Sequence, residues 1–586
     1  METCLQHLGL DLSVLENGSG SSYSDGGNYL NHATHALNLE GSAEEMHRQR
    51  TPAIPAEYTE SNMTSSPEIE NSLLDSLASY LVPQYLAHKP TLVDLPTILS
   101  RDEASHVQEN PEMLESLELL DHHCHSALSS PLAETCPRKA FHPLPRKDEA
   151  MSLLHDYLQT VNVLCPLFQP LVLLSMFESE DLNAMLQFPS RWACINVVLA
   201  MGYILRIKDK SVAQPDHQKS WHFIKNALGA LTEICLGAPD LWAVQALIGM
   251  TFFLLGTPSA RPCSFLISTA INIGHQIGLE RTDENSLALD PEELEQRRRI
   301  FWISYSIDRE ISLRFGCVPS QRDEDIAVNL PAEFPADKVG LIPTKDGQES
   351  FNVFRSCCKL AVIKGHVYKR LYSAAATDRP LAQTVAAISS LDEELQRWKA
   401  DIPSQYQPDS RLPSLLPESP ELGLLLLAHY SYFNCIISMH RLIVTQELIK
   451  GMDLTQKIGL FTSTTPPSNS NVFMSASLCA RAARDSIHLM KYMPTGNIFT
   501  TGILIHYAMV ASKTLSFGIL RNPNEASRVY DMKLISQVEE FLSSLILSTP
   551  NEGVKRLVQY CARYRSVAEA AIKQAAKDPQ HQSMTI

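Results

Sequence analysis

The stretch from Leu294 to Pro331 constrains the fold of this 586-residue chain more than any other. Ile300, Ile303, Ile307, Ile311 and Phe315 recur at spacings of three, four, four and four, which is one stripe of an α-helix. Phe301, Trp302 and Tyr305 add apolar bulk on adjoining faces, so the pattern predicts a helix wrapped by neighbours, not one lying on a surface. Gly316 tolerates the left-handed conformation that closes a helix, and Pro319 forbids a restart. Asp308, Arg309 and Arg314 place ionised groups in or beside that buried helix. Burying them unpaired is costly, so partners are required, and the acidic loop Asp323-Glu324-Asp325 is the nearest source.

The same residues carry a family resemblance. A basic pair, Arg298 and Arg299, precedes Phe301 and Trp302; Tyr305 precedes Asp308 and Arg309; Gly316 and Pro319 form a turn. Asp323, Glu324, Asp325 and Ile326 then lead to Leu330 and Pro331. In order and spacing this resembles the signature of the fungal-specific transcription factor domain, the regulatory region downstream of the zinc cluster in fungal activators. Leu154–Phe168, Leu241–Gly256, Ala270–Asp283, Leu391–Trp398 and the stretch from Tyr432 to Arg441 are similar to other helices of that family. The resemblance covers residues 147 to 570. It implies a nuclear transcription regulator without catalytic, metal or cofactor sites of its own. Such a protein controls a pathway-specific gene set, for example a secondary-metabolite cluster. It also implies work with the transcription machinery or another DNA-binding regulator, as a homo- or heterodimer, and leaves any small-molecule effector open.

Charge is unevenly spread. Residues 1–147 hold 8 Lys/Arg against 21 Asp/Glu, a net −13 of the chain's −16. Such a segment repels phosphate, which argues against direct DNA binding there. The family's DNA-binding members carry six cysteines as zinc ligands ahead of the regulatory domain. Before residue 148 only Cys4, Cys124 and Cys136 occur, with no Cys-x-x-Cys pair, and without thiolate ligands that module has no core. The expectation is a chain that works through partner proteins, or one whose zinc cluster is encoded upstream.

The thirteen cysteines are scattered, several inside apolar helical patterns (Cys194, Cys235, Cys435), which suits a reducing compartment. No signal peptide is visible in Met1–Leu10. Tyr157–Phe177 and Leu241–Ala260 are largely uncharged, but prolines and short apolar cores make both read as buried helices, not membrane spans.

Residues 1–65 are rich in Ser, Gly, Asn and Thr and are expected to be disordered. Leu73–Leu86 and Met113–Leu120 are acidic-amphipathic patches, read either as activation peptides or as helices docking on the main body. From residue 148 the pattern is helical, with no convincing alternating strand and at most an extended piece at Ile326–Leu330. Predicted helices include Ser220–Cys235, Leu241–Leu255, Phe265–Ile277, Glu292–Phe315, Phe351–Tyr372 and Leu381–Ala400, followed by five more to Ala575. The fold class is therefore all-α: a regulatory domain at 148–575, an acidic amino-terminal region at 1–147, and a disordered tail at 576–586. A two-lobed arrangement would place its hinge in Pro331–Asp346.

Competing chemistry is weak. There is no phosphate-binding glycine motif, no Gly-x-Ser-x-Gly elbow and no His-Glu-x-x-His. Asp121–His125 with Cys136 matches no zinc spacing and reads as a solvated loop. Asp323–Asp325 would suit a helical metal-dependent enzyme only with carboxylates along a facing helix, and pairing with Arg309 or Arg314 explains them without catalysis. Arg297-Arg298-Arg299 could be a nucleic-acid or import patch, but within a helix it is expected to pair with Glu292–Glu295 and the acidic loop. Arg138-Lys139 and Arg146-Lys147 form a weak bipartite import signal.

Overall fold

The computed structural model describes residues 140–178, 187–206, 213–256, 261–281, 290–344, 349–409, 420–451, 470–493, 498–548 and 552–577. All lie in the compact unit that begins at Gln84. The acidic patches and the Asp121–His125 cluster lie outside the described residues, as does the tail beyond Lys577.

The first layer follows from where apolar residues and helix breakers fall. Helix α1 (Lys147–Leu164) opens with Asp148 and Glu149, which suit its positive end, and stops before Pro166. After Gln169, α2 (Pro170–Glu178) begins on its own proline. The apolar stretch Tyr157–Phe177 is thus two helices joined by a turn. That turn is held by Asn162, whose amide donates to the Phe168 carbonyl and accepts from its N–H. Helix α3 (Pro189–Leu205) is buried without a break from Ala193 to Leu205 and has no polar face to present to water. Helix α4 (Ala213–Gly229) and the short α5 (Leu231–Leu236) replace the single helix expected at Ser220–Cys235, with the break at Ala230.

Helix α6 spans Leu241–Leu255, as the sequence predicts. Asp240 caps it by accepting the Ala243 N–H at 2.6 Å. Every residue from Ala243 to Leu255 is buried; full burial of each large side chain is worth about 1.5–3 kcal/mol. Helix α7 (Arg261–Gln276) starts four residues before its predicted Phe265. Helix α8 (Pro291–Phe315) is the signature helix.

The 331–346 region, expected to be a loop, carries β1 (Leu341–Pro343), which pairs antiparallel with β2 (Ser350–Asn352) through Ile342↔Phe351. Phe351 therefore belongs to a strand, not to the helix predicted there. Helix α9 (Val353–Val367) starts only after Asn352 accepts the Arg355 N–H at 2.9 Å. A π-turn, Tyr368–Tyr372, and the one-turn α10 (Ala374–Thr377) lead to α11 (Leu381–Ala400). Then come α12 (Pro420–Gly451), α13 (Ser470–Leu489), α14 (Ile498–Arg521), α15 (Arg528–Ser548) and α16 (Glu552–Lys577). The fold class is all-α, the hairpin being the one sheet among the described residues.

Apolar helices occupy the centre. Helix α3 packs on α1, α4, α6 and α14, while α12 packs on α1, α9, α11, α13 and α14. Leu422–Thr445 of α12 and Gly502–Arg521 of α14 are long and apolar enough to cross a membrane, but those stretches are 83% and 61% buried inside the protein. Their apolar surface is already used by neighbouring helices. The ten described cysteines are free, and Cys194 and Cys435 are buried as expected, whereas Cys235 is exposed at the end of α5.

Candidate functional site

The signature residues converge where the carboxyl-terminal half of α8 meets the loop that follows it. Gly316 adopts φ 70° and ψ 23°, and its N–H closes on the Ser312 carbonyl at 2.9 Å. That left-handed residue turns the chain back, and Pro319 and Ser320 then run alongside the helix they have just left. The turn puts backbone amides over Asp308. Its carboxylate accepts the Ser320 N–H at 3.0 and 3.1 Å and the Gln321 N–H at 3.2 Å.

Among the described residues, Arg309 is the largest side chain that is essentially sealed from solvent, at 2% exposure. Nη1 donates to Asp308 at 2.7 Å; Nη2 donates to the Gln321 carbonyl and to Asp323 Oδ1, both at 2.6 Å. Its guanidinium carbon lies 4.3 Å from the centre of the Tyr305 ring, and the Tyr305 hydroxyl donates to the same Asp323 oxygen at 2.9 Å. Burial pushes the Asp308 carboxyl up, against the Ser320 and Gln321 amides and Arg309, which pull it down. Burial works to lower Arg309, but Tyr305, Asp308 and Asp323 outweigh it and hold the guanidinium above its ordinary value. The pair is compensated by hydrogen bonds as well as by charge, the condition under which buried ions are tolerated.

Gly365 of α9 completes the site. A Cβ there would stand 2.8 Å from the Tyr305 hydroxyl and 2.9 Å from Arg309 Nε, so only glycine leaves room for the network. Ser268 and His275 of α7 fasten the loop from the other side, reaching Ser320 Oγ at 2.6 Å and Gln321 Oε1 at 2.7 Å. Trp302, stacked edge-on against both Phe301 and Tyr305, donates its indole N–H to the Asn329 carbonyl at 2.8 Å.

The acidic loop divides among different partners. Asp323 alone meets Arg309; Glu324 pairs with Lys369, and Asp325 lies 3.7 Å from Arg322. Arg314, expected to pair with this loop, does not, because it leaves α8 on another face; it lies over Phe315, 5.4 Å from the ring centre. At the amino-terminal end of α8, Arg298 and Arg299 each approach Glu295 at 3.6 Å, as the helix spacing predicts. The second partner of Arg299 is not the acidic loop but Asp337, held by two bonds of 2.6 and 2.8 Å. Arg297 donates to the Ile277 carbonyl. Asp337, Ser320, Gln321 and Gly365 belong to the site without any local signal in the sequence to announce them.

Residues 154–400 match the family described as the fungal specific transcription factor domain. Over 450 residues, 75% of its length, the chain is 38% identical to the ABC-transporter-regulating transcription factors of Aspergillus oryzae and Aspergillus fumigatus. The matched part is 49% of each relative, so the chain spans about half their length. It is also 25% identical over 447 residues to the fusaridione A cluster transcription factor of Fusarium heterosporum, covering 75% of this chain and 81% of that one. The turn closed by Gly316 and the charges folded under it lie wholly inside the matched segment. This chain carries, at residues 154–400, a fungal specific transcription factor domain.

Proposed function

We propose that this chain is the regulatory part of a nuclear transcription regulator acting on a pathway-specific gene set. Transporter genes and secondary-metabolite clusters, named in its relatives, are the target classes it is expected to share. The observation that carries this reading is the 38% identity sustained over 450 residues to two ABC-transporter-regulating factors. Transcript profiling after deletion of the gene tests it. A coordinated change in a set of transcripts is expected; an altered metabolite with constant transcripts would favour a helical enzyme instead.

Within that reading, Arg298, Arg299, Phe301, Trp302, Tyr305, Asp308, Arg309, Arg314, Gly316, Pro319, Asp323, Glu324 and Asp325 are scaffold. They set the angle between α8 and its loop. Partners are expected to be the transcription machinery or another DNA-binding regulator, in a homo- or heterodimer. A net charge of −16 gives the chain as a whole no electrostatic attraction to a duplex. The purified chain is expected to leave a promoter fragment unshifted at physiological salt; a specific, salt-resistant complex would overturn that.

A further inference from the structure

The first described residues, 140–146, form a strap that lies on α4 before α1 begins. One side chain holds them. Asn226 of α4 is fully buried. Its Oδ1 accepts the Phe141 N–H at 2.6 Å and the His142 N–H at 3.1 Å, and its Nδ2 donates to the His142 carbonyl at 2.8 Å. The same Nδ2 donates to Asn196 Oδ1 of α3 at 2.9 Å, and Asn196 is in turn anchored on the Trp192 carbonyl. The strap is thus fastened at one point, and the chain before residue 140 leads into it.

Beside that point two imidazoles are stacked. The His142 ring lies 5.3 Å from the His222 ring of α4, at 26°, and 5.3 Å from the Phe223 ring. His142 Nδ1 lies 2.8 Å from the Pro143 carbonyl, which can only accept, so Nδ1 carries the hydrogen and a further proton would go to Nε2. His222 Nδ1 is buried and has no hydrogen-bond partner among the described residues. An imidazolium donates from both nitrogens, so a protonated His222 would bury one N–H without an acceptor. Burial, then His142 and Lys225, hold His222 below its ordinary value, and no carboxylate among the described residues acts the other way. The strap itself adds only Arg146. Of the elements packed on α4, α3 brings Arg191, which lies over Phe188, and α5 brings Glu233. Helix α6 brings its cap Asp240, engaged by Ser190 and the Ala243 N–H. On α4, Asp216 and Lys219 act on Tyr203, and His217 bonds to Trp221.

We propose that residues 140–146 form an acid-released clasp: the stacked His142–His222 pair stays closed while at most one ring is charged, and protonation of both drives the strap off Asn226. In the open strap each ring titrates at about 6.5, as a free histidine does. Closure is therefore at full strength above that value and is lost as pH falls below it. Between about pH 7.5 and 5.5, one histidine kept neutral by closure raises the opening constant about tenfold. Opening frees the joint between the acidic amino-terminal region and the regulatory domain. The clasp is separate from the Asp308–Arg309 network and is read on purified protein, so its failure would leave the transcriptional reading intact.

The test is hydrogen–deuterium exchange of the full chain at about pH 7.5 and 5.5, corrected for intrinsic exchange rates and read on the peptide that carries the Phe141 and His142 amides. Their opening constant is expected to rise about tenfold at the lower pH, while the amides of α3, buried from Ala193 to Leu205, keep their protection. His222→Phe keeps a ring against His142 but takes no proton, and is expected to abolish the rise. His142→Phe changes only the half-buried strap; it is expected to reduce the rise and carries the test if His222→Phe folds poorly. No rise in the parent would overturn the proposal, as would a rise unchanged in His222→Phe, or in His142→Phe where the first variant does not fold. An equal loss of protection in α3 would also overturn it, by showing general acid unfolding in place of a local release.

Discussion

Helix α8 holds two groups of charges a single turn apart, and they are treated in opposite ways. Around Arg309, three acceptors, an aromatic face and a glycine-sized gap converge on one guanidinium. Around Arg314 and Lys513 the compensation is weaker: Glu310, Tyr507 and Cys263 oppose the effect of burial on Arg314 without outweighing it, and Lys513 of α14 closes no ion pair among the described residues. Desolvation alone therefore does not set what a buried charge costs. Compensation does: a charge whose partners are built in maintains the fold, while a charge with few of them is carried at a cost to stability.

The largest expected effect lies on the compensated side. Arg309→Ala strands Asp308 and Asp323, and Asp308→Ala strands Arg309; each is expected to cost about 3–5 kcal/mol. Urea denaturation of the purified variants measures this, and a parent-like midpoint for both would erase the contrast. Gly365→Ala pushes a methyl into the Tyr305 hydroxyl and Arg309 Nε. Overpacking of this kind is expected to cost about 1–3 kcal/mol in the same assay.

On the uncompensated side the sign reverses. Lys513→Met is expected to stabilise the free protein at pH 7 by about 1–2 kcal/mol, after allowance for solvent around a half-buried group. The pH dependence follows from a folded value near 8 against an ordinary 10.5. Below 8 lysine is charged in both states, and its burial costs stability in full. Between 8 and 10.5 the folded protein sheds the proton that the unfolded chain keeps, so the parent regains stability as pH rises. The advantage of Lys513→Met should shrink over that interval; an advantage that held constant to pH 10 would show that the lysine charge is not its source. The smallest effect is expected from Tyr305→Phe, which removes one hydrogen bond to Asp323 but keeps the ring under Arg309. A loss of about 1 kcal/mol by thermal or urea unfolding is expected.

Much of the compensated site was legible because its parts are close in sequence. The stripe from Ile300 to Phe315, the turn at Gly316 and the pairing of Arg309 with Asp323 all fall within 24 residues. Partners farther along the chain were not legible. Asp337 reaches Arg299 across 38 residues, and Gly365 matters only because α9 crosses α8 at that position. The hairpin of β1 and β2 was missed because three residues are too few to show alternation. The break at Ala230 follows Gly229, a single glycine inside an apolar helical pattern, which the sequence tolerates within a helix as readily as at its end. Lys513 reads in the sequence as one cation in an apolar helix, and the absence of a partner can be seen only once α8 and α12 are beside it.

Helix α1 packs on α12, and α3 packs on α14, across more than two hundred residues of intervening chain. During synthesis the first helices leave the ribosome long before the surfaces that cover them exist. Helix α3, apolar on every side, waits for α14 through most of translation, and such delayed contacts favour slow closure and a need for chaperones. The same geometry bears on any shortened version of the protein. A fragment ending at Ala400, where the matched domain stops, would lack both α12 and α14 and leave α1, α3 and α9 bare. The end of the matched family segment is therefore not a boundary at which this chain can be cut.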